Sequence, residues 1–244
     1  MLRRCPPGTH GEWVSRLFPT AGEAVISFRS ARADKVAAGG AGWSVSAEEI
    51  AARRARSQVR RYCVANLLSR LGTLTYGGAG CHDPDGLRRN VHAFFRELRG
   101  EVGSSFPYLW TAEWHPGGHG LHVHFAVGRY LPRGFIERAW PHGFVHIKLL
   151  GDLSYNVSTV GEARHVAGYL SKYVAKSMDG GRRGLHRYDV AEGFAPAEER
   201  SSSRSSGLAV AGAVERMGRA PDYRSDSGDW HGYDGPPALF LSWD

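Results

Sequence analysis

FPYLWTAEWHPGGHGLHVHFAVG, residues 106–128, decides the fold. Two runs of strand-forming residues flank HPGGHG, whose proline and glycines suit a tight connection, so the segment reads as a β-hairpin. In an extended chain, residues two apart share a face. Leu121, Val123, Phe125 and Val127 therefore turn one way, and His122, His124 and Ala126 the other. If Trp114 and Leu121 close the hairpin, Glu113 falls opposite His122 and Thr111 opposite His124. Directly opposed residues share a face at roughly 5 Å. One carboxylate and two imidazoles then meet on one side of a sheet, a donor set suited to Mg²⁺ or Mn²⁺ with water completing the shell. A glutamate ion-paired with a histidine on an ordinary strand is the other reading of the same register. His115 and His119 fall in the turn and are expected to be exposed.

Working outward, LGTLTYGG (71–78) and GFVHIKLL (143–150) have the composition of further strands. DPDGLRRNVHAFFRELRGEV (83–102) has the period of a helix that buries Leu87, Val91, Phe94, Phe95 and Leu98. Pro132 opens a short helix through Trp140, and EARHVAGYLSKYVAKS (162–177) is a longer one. Upstream, Ser46 and Glu49 have capping-box spacing before an Ala-, Arg- and Leu-rich helix running to Arg70, with Val59, Cys63 and Leu67 as its apolar stripe. Arg53, Arg54, Arg60 and Arg61 fall largely away from that stripe, as a solvated face or a phosphate-facing one. The order predicts an α+β fold, a central, mainly antiparallel sheet with flanking helices on one face.

Three regions are expected. Residues 1–42 read as a poorly structured leader and linker, ending in ADKVAAGGAG. Residues 43–178 form the main domain, and residues 179–244 an extension in which GGRRGLHRYDV (180–190) adds an edge strand and SSSRSSG (201–207) is low in complexity.

The last helix carries YLSKYVAK (169–176). Residues four apart stack on a helix, so Tyr169 and Tyr173 project together, with Lys172 and Lys176 each three positions after a tyrosine. Packing of the rings on a sheet is one account of the pair. Nucleophilic chemistry is the other, because a phenol with a pKa near 10 attacks at neutral pH only when a cation or base helps it ionise.

Composition narrows the partners. Lys and Arg total 31 against 24 acidic residues, a net charge of +7, which suits a polyanion. Three cysteines without a CxxC pair suggest neither a disulfide framework nor a thiolate zinc site, and a reducing cytoplasm is the expected location. No run approaches the roughly 18 apolar residues of a membrane span, and no signal peptide is evident, so no membrane partner is expected.

TLTY (Thr73–Tyr76), HVH (His122–His124) and YLSKYVAK resemble, in order and approximate spacing, motifs one to three of the HUH endonucleases. The resemblance spans roughly residues 71–176 and is to rolling-circle replication initiators. The tyrosine pair with its interposed lysine is similar to that of the two-tyrosine initiators of small single-stranded DNA phages and related plasmids. It implies that His122, His124 and Glu113 hold a divalent metal ion, Mg²⁺ or Mn²⁺. It further implies that Tyr169 and Tyr173 attack a phosphodiester of single-stranded origin DNA, while Lys172 and Lys176 steady the phenolate or the phosphate. TLTY is read as a structural strand outside the site. No GxxxxGK[ST] occurs, so a host helicase and DNA polymerase are the expected partners. A transposase or relaxase with the same chemistry, and a non-catalytic single-strand binding module, are the alternatives.

Overall fold

In the computed structural model, residues 11–30, 47–148, 158–176, 188–230, 233 and 235–244 are described. They form β1 (Gly11–Phe18), β2 (Glu23–Ser30), α1 (Ala47–Ala65), β3 (Arg70–Tyr76), α2 (Pro84–Val102), β4 (Tyr108–Trp114), β5 (Leu121–Val127), α3 (Arg133–Ala139), β6 (Gly143–Lys148), α4 (Thr159–Lys176), β7 (Asp189–Val190), β8 (Glu199–Ser203), α5 (Ser206–Met217), β9 (Tyr223–Asp226) and β10 (Ala238–Ser242). The chain divides into two compact units, Ala51–Ala195 and a second made of Met1–Ile50 with Pro196–Asp244. The α+β class is as the sequence predicts. The Gly-rich linker expected over residues 33–42 and the capping residue Ser46 lie outside the described residues.

The central unit is an antiparallel sheet of order β6-β3-β5-β4-β7. α2 begins where the Asp83 carboxylate accepts the Asp85 amide at 2.9 Å and Pro84 occupies the first turn; it stops at Gly103, which takes φ +71°. The five residues it buries are the five its period predicts. They pack with α3 against Leu74, Trp110, Val123 and Phe125, and each such large apolar side chain contributes about 1.5–3 kcal/mol on burial. α1 and α4 cover the opposite face, where Val59, Cys63, Val166, Leu170 and Val174 meet Leu71, Leu109 and Ala126. Helices therefore lie on both faces rather than the one expected. The reason is visible in β5: all seven of its residues are buried, which a strand with one face in water cannot achieve.

The helix before β3 ends at Ala65, short of the expected Arg70. Leu67 takes φ +51°, its amide donates to the Val64 carbonyl at 3.1 Å, and the Leu68 amide donates to the Cys63 carbonyl at 2.9 Å. That pair of bonds is a Schellman motif, so Leu68 becomes fully buried while Leu67, expected in the apolar stripe, is left 41% exposed.

The second unit has a sheet of order β8-β1-β2-β10-β9, with α5 against one face. Residues 11–30, within the leader expected to be poorly structured, supply two of its strands, and Trp13, Leu17, Ala24 and Ile26 enter its core. Within the expected extension, Asp189–Val190 does form an edge strand. The low-complexity serines form β8, and Ser205 caps α5 by accepting the Leu208 amide at 3.2 Å. Small residues let α5 sit close on the sheet, with Ala209 and Ala213 buried.

Candidate metal centre

The β4–β5 register is the predicted one: Trp114 pairs with Leu121, Glu113 with His122, and Thr111 with His124. The connection closes when the His115 amide donates to the Gly120 carbonyl at 2.8 Å and the Gly118 amide to the His115 carbonyl at 3.0 Å. Gly120 has φ +83°, and a Cβ there would lie 2.4 Å from the Cys81 carbonyl oxygen. Only glycine lets the hairpin meet the segment before α2, where the Leu121 amide donates to that same carbonyl at 2.7 Å. His115 and His119 are exposed, as expected of turn residues.

Glu113 Oε2 lies 3.4 Å from Nε2 of both His122 and His124. One ligand atom from each of the three residues falls within 4.8 Å of the others, and the three can hold a metal ion. Donors bound at about 2.1 Å in adjacent positions of an octahedral shell stand about 3 Å apart, so the observed spacing suits a small divalent cation. Both imidazoles are buried. Removal from water lowers the basicity of His122, and the Glu113 carboxylate offsets part of that effect. Neutral imidazole is the form that binds a cation. At the far side of the second ring, Thr73 Oγ1 lies 3.1 Å from His124 Nδ1. With Nδ1–H donating to that hydroxyl, the Nε2 lone pair faces Glu113.

α4 crosses this face. The Tyr173 ring stacks on His124, centroids 3.9 Å apart and planes inclined by 20°, and Tyr169 meets His124 edge-on at 5.9 Å. The Tyr173 hydroxyl donates to the Tyr169 oxygen at 2.8 Å. Burial and then the Tyr169 hydroxyl hold the Tyr173 phenol above its ordinary range. The structure thus brings together Glu113, His122, His124, Tyr169 and Tyr173. Lys172 stands on the exposed side of α4, away from the inward-turned phenols, and the side chain of Lys176 lies outside the described residues. Thr73, which sequence reasoning leaves out of the site, belongs beside it. Its only signal is the alternation of Thr73 and Thr75 along TLTY, and no hairpin links β3 to β5 to fix their register.

A two-histidine, one-glutamate centre on an antiparallel sheet, overlain by two phenols, is the class that fold and site define. A family model described as Replication-associated protein ORF2 matches residues 69–178, from the residue before β3 to just beyond α4. The match supports a replication initiator, and with it DNA as the partner. No curated protein and no solved structure matches the chain. Among the described residues no helix is long and apolar enough to cross a membrane.

Proposed function

We propose that the chain is a metal-dependent endonuclease that nicks and rejoins single-stranded origin DNA and so starts rolling-circle replication. The observation that carries this reading is the stacking of Tyr173 on His124 at 3.9 Å, with Tyr169 hydrogen-bonded to it, because nucleophile and cation must flank one phosphate. In the step proposed, a phenol oxygen of Tyr169 or Tyr173 attacks phosphorus and gives up its proton. A Tyr–O–P bond forms, the P–O3′ bond breaks, and the leaving oxygen takes a proton to become a 3′-hydroxyl that can prime synthesis. A divalent ion held by Glu113, His122 and His124 supplies charge stabilisation on a phosphate oxygen. The second phenol serves the later cut while the first remains attached, and Lys172 and Lys176 are proposed to steady phenolate or phosphate.

The test uses a single-stranded oligonucleotide from the origin with Mn²⁺. A covalent protein–DNA adduct is expected; it should disappear with chelator, with H122A/H124A, and with Y169F/Y173F. An adduct that survives the double tyrosine change overturns the assignment.

A further inference from the structure

The catalytic face of the central sheet does not stop at the metal centre. Phe144 pairs with Thr75, Thr75 with His122, and His122 with Glu113, so these four stand in one row across β6, β3, β5 and β4. The next row is His146, Thr73, His124 and Thr111. Directly paired residues share a face, so Phe144 and His146 look out on the same side as the metal-binding imidazoles. Two strand spacings, about 10 Å, separate the backbones of Phe144 and His122.

Phe144 is 72% exposed, more than any other large hydrophobic residue among those described. β6 is also an edge strand. An exposed aromatic on an edge strand invites unwanted pairing, and chains commonly place charge there instead. His146 beside it is exposed too, while Thr73 and Thr75 between them and the imidazoles are half-buried. The Thr75 hydroxyl donates to the Phe144 carbonyl at 3.3 Å and ties the edge strand to the row. Charge favours a polyanion here: residues 51–195 hold 20 of the 31 Lys and Arg residues and only 11 of the 24 acidic ones.

We infer that Phe144, with His146 next to it, is a stacking shelf for a nucleobase of the strand whose phosphate lies at the metal centre. The inference rests on the nuclease reading and adds to it the place where a flanking base is held. Stacking suits the position, since every base has a π face and the shelf need not read sequence. It would lay the strand across β3 and fix the scissile phosphate against the phenols.

The experiment measures binding of a fluorescein-labelled oligothymidylate, and of a base-free deoxyribose-phosphate oligomer of the same length, to the full chain with Mn²⁺. F144A is expected to weaken oligothymidylate binding about 10-fold, F144L to behave like F144A, and F144W to keep parental affinity. The base-free oligomer should bind parent and F144A alike. Far-UV circular dichroism checks that each variant folds. Parental affinity in F144A or F144L overturns the shelf, as does an equal loss with the base-free oligomer. Adduct formation by the parent alongside either result leaves the nuclease reading standing. A parent that forms no adduct with origin DNA overturns that reading first.

Discussion

His124 is touched from three directions: Thr73 at Nδ1, Glu113 at Nε2, and the Tyr173 ring over its plane. A ring so placed keeps one tautomer and one orientation, and metal affinity follows from that. T73V keeps the shape and removes the hydroxyl, so Mn²⁺ binding measured by titration calorimetry should weaken about 10-fold, while T73S should stay near the parent. Equal affinity in T73V would mean that packing alone orients the ring. The contrast between Glu113 and Thr73 shows what a sequence displays. Glu113 and His122 are joined by a short hairpin, so counting back from the turn gives their register. Thr73 reaches His124 across a separation of 51 residues, with α2 and β4 between them, and counting has nothing to start from.

Elements announce themselves where local chemistry and tertiary packing agree. α2 has a cap, a proline, a period and a terminal glycine, and its core residues are legible in advance. α1 is different at its end, because the stripe Val59, Cys63, Leu67 continues on paper past the point where the helix stops at Ala65. The stop depends on a left-handed leucine, a conformation that costs a side chain about 1–2 kcal/mol and that glycine adopts freely. L67G should therefore raise the urea midpoint, by about 0.5–1 kcal/mol net of the extra freedom glycine has when unfolded, with an unchanged m value. A fall in the midpoint would show that burial of the leucine side chain outweighs its backbone strain. α5 escaped notice for the opposite reason: its cap and final Gly218 are present, but SGLAVAGAVERM buries small residues and so lacks a conspicuous apolar stripe.

Across the whole molecule, the hidden part is the unit assembled from both ends of the chain. Each of its strands is short, and β1 and β2 find β8 and β10 only after the entire central unit has intervened. One contact in that unit is open to a pH test. Arg16 donates to Glu198 at 2.7 and 2.9 Å and, with Arg200, holds its carboxyl near 2, below the ordinary 4.5. A lowered folded-state pKa stabilises the fold above pH 4.5, and the gain fades as the pH falls towards 2. Solvent screens the pair, so E198Q should cost about 1 kcal/mol or less at neutral pH in urea titrations, and the difference from the parent should vanish near pH 2. A constant difference at every pH would mean that packing, not charge, sets the effect.

The interleaving of β2 with β10 also has a consequence in time. About 200 residues separate Ser30 from Ala238, and at translation speeds of 5–20 residues per second the ribosome delivers the second strand roughly 10–40 s after the first. The central unit has its full sequence well before then. The β1–β2 pair must meanwhile stand on the nascent chain with one backbone edge unclaimed, so this half of the molecule depends on the last strand to arrive.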